Sequence, residues 1–220
     1  MSDKSPLLIE IVSDVVCPWC FIGLRRLDLA IAAVRQEYPE FHCEKRWRPF
    51  FLNPDTPPEG EPYLPFLIQK FGSREKVQSI FNQVSEAGAA YGLNYQFEKI
   101  AIRANTLQAH RLIHWAQQMG DAQPLVERLF VGQFQLGENV SDRTILAAIA
   151  VECGYDQTAV DAYLNADTNA DLVRDEEKES RRWGVNAVPT FIIARQVGIP
   201  GAEDPIILAD AIKQVLQSKH

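Results

Sequence analysis

The stretch LLIEIVSDVVCPWCFIGLRR, residues 7–26, decides the start of the fold, because an apolar run passes directly into a pair of cysteines. Residues 7–13 are short and rich in Leu and Ile, which predicts a buried strand. After Pro18 the apolar side chains recur at spacings of three and four, which predicts a helix that ends just before Pro39. The two cysteines are therefore expected where a strand ends and a helix begins.

The middle of the chain has a different pattern. A second strand is predicted at 41–48, and from Leu52 onward the Pro-rich acidic passage NPDTPPEGEP marks a boundary. A series of helical patterns follows, at 63–71, 73–91, 105–119, 123–136, 142–153 and 157–165. A block of about 110 residues is too long for a loop, so it is expected to be a helical lobe with its own apolar contacts.

The sequence again predicts β-strands near the C-terminus. A charged helix is predicted at 169–183, and the β-rich run VPTFIIARQVGI and a closing helix over PIILADAIKQVLQ follow it. The predicted fold class is therefore α/β, with a helical insertion that splits the β-containing part.

Composition excludes several classes of function. The chain has 220 residues, of which 46% are hydrophobic and 23% charged, as in ordinary globular proteins. A formal charge of −7 disfavours a nucleic-acid partner, since that binding depends on clustered Lys and Arg. No uninterrupted apolar segment approaches the length of about 18 residues that spans a bilayer, and no basic leader precedes the first strand. We therefore expect no membrane partner and a cytoplasmic location.

The spacing of Cys17 and Cys20 points to redox chemistry. With Cys17 at the helix N-cap and Pro18 at the first helical position, the Cys17 sulfur would face unpaired backbone N–H groups and the positive end of the helix dipole. This environment lowers a cysteine pKa from its usual value of about 8.5. Cys17 is therefore the expected nucleophile, and Cys20 would resolve the mixed disulfide that Cys17 forms.

Two alternatives to a redox centre remain open at this stage. The thiols could simply pack in the core, since free cysteine is among the most buried residue types. A zinc site would need two more ligands, and the two other cysteines, Cys43 and Cys153, do not form a second Cys-x-x-Cys motif.

A second element of the redox hypothesis is the segment GVNAVPTF, residues 184–191. Pro189 follows Val188 and enters a strand, so this peptide bond is a candidate for the cis form, although trans is the commoner state of such bonds. A cis-proline here would expose the backbone of Val188 to an extended thiol substrate, which could pair with it as an added strand.

Five segments taken in order resemble a known family; they are SDVVCPWCFIG, RPFFLNPD, NTLQAHRLIHWA, LFVGQFQLGENVSD and WGVNAVPTF. The chain resembles the FrnE-like thiol–disulfide oxidoreductases of the DsbA-type thioredoxin superfamily. Relatives of that branch include 2-hydroxychromene-2-carboxylate isomerases and kappa-class glutathione transferases, which typically carry serine where Cys17 stands. The resemblance implies that Cys17 is the nucleophile, Cys20 the resolving cysteine and Pro189 the cis-proline opposite them.

The sequence pattern and the resemblance together predict a domain organisation and a set of partners. Residues 1–52 and 166–220 would form a thioredoxin-like domain, and 53–165 an all-helical insertion domain. The expected activity is thiol–disulfide exchange through the CPWC dithiol on protein disulfides or small thiols, with no required cofactor. A glutathione-dependent isomerase or transferase acting on small aromatic substrates is the alternative. Glutathione as a co-substrate and a homodimer remain open.

Residues outside the two motifs complete the candidate site. In NTLQAHRLIHWA, His110 would either contact the substrate and influence the Cys17 pKa, or be an ordinary hydrogen-bonded histidine. Asp14, three residues before Cys17, could raise a thiol pKa, accept a proton from Cys20, or merely be solvated. The residues expected to contact substrate are Pro18, Trp19, Asn105, His110, Val188 and Pro189.

Overall fold

The computed structural model describes residues 6–218. In chain order, its strands and α-helices are β1 (Leu7–Ser13), α1 (Pro18–Glu37), β2 (Cys43–Pro49), β3 (Glu61–Pro62), α2 (Tyr63–Phe71), α3 (Arg74–Ala89), β4 (Ile102–Arg103), α4 (Leu107–Gln117), α5 (Gln123–Val131), α6 (Arg143–Glu152), α7 (Gln157–Asn165), α8 (Ala170–Arg182), β5 (Thr190–Ile193), β6 (Val197–Pro200) and α9 (Pro205–Gln217). Among the helices of the described residues, none is both long and apolar enough to cross a membrane.

The main sheet has four strands in the order β2-β1-β5-β6. Strands β1 and β2 are parallel and are connected through α1, whereas β5 is antiparallel to β1 and forms a hairpin with β6. This confirms the predicted strand–helix–strand opening and the strand signal near the C-terminus. Strand β2 begins two residues later than predicted, because its pairing with β1 starts at Leu7 and Cys43.

The insertion is predominantly helical, and the structure corrects the expectation of an all-helical segment. Strands β3 and β4 form a short antiparallel ladder that joins the two ends of the α2–α3 pair. A two-residue ladder is too short to show the alternation by which a strand is recognised in sequence. The helix predicted at 123–136 is also divided, because α5 gives way to a π-helical turn at Gly132–Leu136.

The sheet and the insertion share one continuous hydrophobic core. Phe21 of α1 stacks on Phe130 of α5, with ring centroids 5.0 Å apart, so an aromatic contact joins the two parts directly. The proposed boundaries of the insertion, 53 and 165, stay a prediction. The shared core does mean that the residues at the end of β1 are packed against both parts of the chain.

Strand β1 of the main sheet also takes part in a buried ion pair. Glu10 of β1 is fully buried and accepts from Arg48 Nε at 2.7 Å and from Arg195 Nε at 3.3 Å. Arg48 also donates to Glu179 of α8 at 2.8 Å, and its guanidinium lies 4.4 Å from the centroid of the Trp183 ring. These contacts connect β1, β2, α8 and the β5–β6 turn through charged side chains.

Replacing Glu10 with Ala is expected to lower the free energy of unfolding by about 3–5 kcal/mol, because Arg48 would keep a buried charge without its closest partner. Urea unfolding of the wild type and the variant measures the change in the free energy of unfolding. The matched control is Glu44→Ala, which removes the carboxylate of an exposed pair with Arg46 at 3.4 Å and should cost at most about 1 kcal/mol. Equal losses in the two variants would contradict the interpretation.

Candidate active site

The turn between β1 and α1 places Cys17 at the start of the helix. The Cys17 N–H donates to the Asp14 carbonyl at 3.0 Å, and the Cys20 N–H donates to the Cys17 carbonyl at 3.0 Å. Cys17 is the N-cap residue, in an extended conformation, and Pro18 is the first helical residue. The Cys17 side chain makes no capping hydrogen bond to the helix, and its thiol donates to the Val188 carbonyl at 3.6 Å.

Cys20 is buried one turn into α1, beside Cys17. Burial raises the pKa of the Cys20 thiol well above its usual value, and a hydrogen bond with the Cys17 side chain adds to this effect. Weaker hydrogen bonds from the Ser13 side chain and the Asp14 backbone act in the opposite direction. Cys20 is therefore held as a protonated thiol in contact with the sulfur at the helix start.

The Val188–Pro189 peptide bond is cis, and it lies against α1. The Pro189 carbonyl accepts from the Gly201 N–H at 2.7 Å, which holds the start of β5 to the end of β6. On the α1 side, a Cβ added to Gly23 would lie 2.7 Å from Pro189 Cγ, far closer than packed atoms allow. The absence of a side chain at Gly23 thus permits the close approach that brings Val188 to Cys17.

His110 and Asp14 form a buried pair behind this turn. His110 Nε2 lies 3.3 Å from Asp14 Oδ1, and Asp14 Oδ2 accepts from the Leu52 N–H at 2.8 Å. The Phe51 ring packs edge-on against the imidazole. The structure therefore places His110 against the residue that supports the Cys17 turn, and this matches the hydrogen-bonded histidine of the sequence analysis.

Asn105 does not line the same cavity as Cys17. Its Nδ2 donates to the Thr56 carbonyl at 2.7 Å, and its Oδ1 accepts from the Leu107 N–H at 3.1 Å, at the start of α4. It lines a separate cavity of 290 Å³ with Asn53 and residues of α8. Its side chain is thus engaged in holding the segment before α4, which explains why that helix begins later than predicted.

A cavity of 330 Å³ opens beside Cys17, and we call it the Cys17 cavity. Pro18, Trp19 and Val188, three of the predicted substrate contacts, line it, and the insertion supplies the opposite wall. The sequence analysis missed the residues of that wall. The apolar ones have the spacing of ordinary core helices; they include Phe66, Leu67, Phe71 and Phe81. Arg103 lies in a two-residue strand and Gln133 in a π-helical turn, neither of which has a sequence pattern that marks a site.

Tyr95 is a further residue that the sequence analysis missed. Its hydroxyl donates to the Pro18 carbonyl at 2.7 Å and so fixes the first turn of α1 to the insertion. Burial raises the pKa of Tyr95, so the phenol keeps its proton and remains a hydrogen-bond donor.

The described residues offer no metal site. Within residues 6–218, no three His, Cys, Asp or Glu side chains gather in an arrangement that could hold a metal ion. His114 lies 3.4 Å from Glu176 and is not grouped with His110 around a common point.

Comparison with known proteins agrees with this geometry. The DSBA-like thioredoxin domain family matches residues 8–213. A probable DsbA oxidoreductase from Streptomyces coelicolor has a similar structure, with a TM-score of 0.87 and 31% identity, over 96% of this chain and 90% of that one. The uncharacterized protein YwbO of Bacillus subtilis is 28% identical over 212 residues, which cover 96% of this chain and 98% of that protein.

A more distant structure shares the fold alone. The cytosolic disulfide reductase DsbM from Pseudomonas aeruginosa, solved with GSH, has a TM-score of 0.64 at 14% identity, over 97% of this chain and 98% of that one. The predicted thioredoxin-like fold and the resemblance to the DsbA-type superfamily are thereby confirmed. With the family match extending over nearly all of the sequence, from β1 into α9, the chain belongs to the DSBA-like thioredoxin domain family.

Proposed function

We propose that this chain is a thiol–disulfide oxidoreductase whose CPWC dithiol acts on protein disulfides or on low-molecular-weight thiols and disulfides. The arrangement of the two sulfurs carries the proposal. Cys17 lines the cavity, and Cys20 is buried behind it within hydrogen-bonding contact. The Cys17 sulfur is thus positioned to react with a substrate, and the Cys20 sulfur to form the Cys17–Cys20 disulfide.

The exchange proceeds in two steps when the reduced protein meets a disulfide. The Cys17 thiolate attacks one sulfur of the substrate disulfide, forming a mixed disulfide and releasing the other sulfur as a thiolate that takes up a proton. The Cys20 thiol then loses its proton and attacks the Cys17 sulfur, which forms the Cys17–Cys20 disulfide and releases the remaining substrate thiolate. Two electrons pass from the dithiol to the substrate, and the reverse sequence oxidises a substrate dithiol.

The groups around Cys17 have binding roles in this proposal. The Val188 carbonyl, which accepts from the Cys17 thiol in the reduced protein, becomes available to the main chain of an extended substrate once that thiol is consumed. Pro18 and Trp19 line the cavity beside the reacting sulfur, and Pro189 holds Val188 in place. His110 acts through Asp14 as a positioning residue, since its ring contacts that carboxylate.

Glutathione is the candidate co-substrate that would return the Cys17–Cys20 disulfide to the dithiol in a cytoplasmic setting. A glutathione-dependent isomerase or transferase is the competing function. The buried Cys20 beside Cys17 favours the redox proposal, because a transferase needs one activated sulfur and gains nothing from a resolving thiol. Turnover of a small aromatic substrate with glutathione that survived Cys20→Ser would support the competing function.

The proposed function predicts different roles for the two cysteines. Reduced Cys20→Ser protein is expected to accumulate mixed disulfides with substrate, because nothing resolves the bond that Cys17 forms, whereas Cys17→Ser protein should accumulate none. Both variants should lose insulin-reduction activity. Intact-protein mass spectrometry detects the adducts.

Cys43→Ser is the matched control for that experiment, because Cys43 is half-buried on β2 and lies outside the Cys17 cavity. It should retain wild-type activity. Insulin reduction that persisted in both Cys17→Ser and Cys20→Ser would refute the proposed function.

The raised pKa of Cys20 predicts a pH dependence of stability. Below the unfolded-state value of about 8.5, both states hold the proton and the stabilisation from the buried thiol is fully present. As pH rises above that value, the unfolded chain loses the proton first, so the free energy of unfolding falls until the pH reaches the folded-state pKa. The reduced wild type should therefore lose more stability than reduced Cys20→Ser between about pH 8 and pH 10.

Urea unfolding at a series of pH values, under reducing conditions, measures this difference. The oxidised wild type provides the control, because neither sulfur titrates in the Cys17–Cys20 disulfide. Parallel pH profiles for reduced wild type and reduced Cys20→Ser would show that the Cys20 thiol is not perturbed by burial.

A further inference from the structure

The first turn of α1 leaves one backbone donor beside the Cys17 sulfur. Pro18 has no N–H, and the Cys20 N–H donates to the Cys17 carbonyl at 3.0 Å. Within residues 6–218, the Trp19 N–H has no hydrogen-bond acceptor. Trp19 is the second residue of the helix, and a side chain at the N-cap can accept from the N–H at that position. The Trp19 N–H is therefore free to bind the Cys17 sulfur.

Ionisation changes which group the Cys17 sulfur can bind. As a thiol it donates to the Val188 carbonyl at 3.6 Å and makes no capping hydrogen bond to the helix. A thiolate has no proton to donate, and the partial negative charge of a carbonyl oxygen repels it. Rotation about the Cα–Cβ bond brings an N-cap side chain to the N–H groups of the first turn. The thiolate, which is the form that attacks a disulfide, is thus expected to accept from the Trp19 N–H.

Tyr95 of the insertion binds the other end of the same peptide group. Its hydroxyl donates to the Pro18 carbonyl at 2.7 Å. The Pro18 carbonyl and the Trp19 N–H belong to one planar amide, in which the oxygen and the nitrogen are coupled by resonance. A hydrogen bond to the oxygen draws electrons from the nitrogen, so that the N–H becomes a stronger donor. The Tyr95 hydroxyl therefore strengthens the hydrogen bond that the Trp19 N–H offers to the thiolate.

The packing around Tyr95 fixes the position of its hydroxyl. The residue is 7% exposed, and its ring stacks on Phe97 with centroids 5.2 Å apart and meets Phe134 edge-on at 5.4 Å. Helix α3 has a glycine where the ring approaches it, and a Cβ added to Gly88 would overlap Tyr95 Cε2. The ring is thus enclosed by the insertion, with its hydroxyl held against the first turn of α1.

Resting on the proposed function, we infer that Tyr95 is a positioning residue that raises the fraction of Cys17 present as the thiolate, by polarising the Pro18–Trp19 peptide group. The hydroxyl keeps its own proton throughout, because burial raises the pKa of this phenol. Its effect reaches the sulfur only through the Trp19 N–H. The insertion thereby increases the reactivity of a cysteine that lies at the end of β1, outside the insertion.

The test follows alkylation of Cys17 by iodoacetamide over a range of pH in the reduced full-length protein. The thiolate is the reacting form, so the pH of half-maximal rate reports the ionisation of Cys17. Mass spectrometry of the digested protein assigns the adduct to Cys17 rather than to another cysteine. In Tyr95→Phe the ring remains and only the hydroxyl is lost, so the pH of half-maximal rate should rise by about 0.3–0.5 unit.

The alkylation rate at high pH, where Cys17 is fully ionised, is the second measurement. A more basic thiolate is at least as strong a nucleophile, so this rate in Tyr95→Phe should equal or exceed that of the wild type. A lower rate at high pH, with the same pH of half-maximal rate, would show that Tyr95 only supports the structure around Cys17.

Tyr163→Phe is the matched control. Tyr163 is also buried, and its hydroxyl donates to the Arg111 carbonyl at 3.0 Å, so this variant likewise loses a hydrogen bond between a phenol and the main chain. Tyr163 does not line the Cys17 cavity, and its hydroxyl has no contact with the first turn of α1. The control should keep the wild-type pH of half-maximal rate.

The outcomes separate this inference from the proposed function. An unchanged pH of half-maximal rate in Tyr95→Phe would overturn the positioning role and leave the oxidoreductase proposal standing. An equal rise in Tyr95→Phe and Tyr163→Phe would also overturn it, because the loss of any buried hydroxyl would then have the same effect. A wild-type Cys17 that reacted only after unfolding would overturn the proposed function and the role of Tyr95 together.

Discussion

The site depends on the close approach of helix α1 to the segment that enters β5. Gly23 makes this approach possible, because a Cβ at that position would lie 2.7 Å from Pro189 Cγ and 3.1 Å from Phe191 Cζ. The contact brings Val188 to Cys17 although the two residues are 171 positions apart in sequence. The proposed nucleophile and the main chain that is proposed to hold its substrate are therefore brought together by one helix–strand contact.

Polar and charged contacts of Asp14 and of strand β1 support this arrangement. Asp14 accepts the Leu52 N–H, lies beside His110, and supplies the carbonyl that binds the Cys17 N–H. One residue thus connects the segment after β2, α4 and the Cys17 turn. Farther along β1, buried Glu10 holds Arg48 and Arg195. Because charged groups far from water are costly without partners, these pairs restrict β1 to a single set of neighbours.

The insertion and the sheet each supply part of the Cys17 cavity. The sheet side contributes the Cys17 sulfur and Val188, which have the central roles in the proposed function. The insertion contributes the apolar helix α2 together with Arg103 and Gln133. The two walls are joined by a core in which Phe21 stacks on Phe130.

The sequence by itself determined the features that depend on neighbouring residues: the buried strand at 7–13, the helix that starts at Pro18, and Cys17 at its N-cap with Cys20 one turn later. These follow from local apolar periodicity and from the preference of proline for the first helical turn. The tertiary structure alone decided that Asn105 binds the Leu107 N–H and does not line the Cys17 cavity, and that Gln133, in a π-helical turn, does line it. It also decided that Arg103, in a two-residue strand, lines the same cavity. Each of these depends on which distant segments meet, and apolar spacing is the same whether a side chain enters a core or lines a cavity.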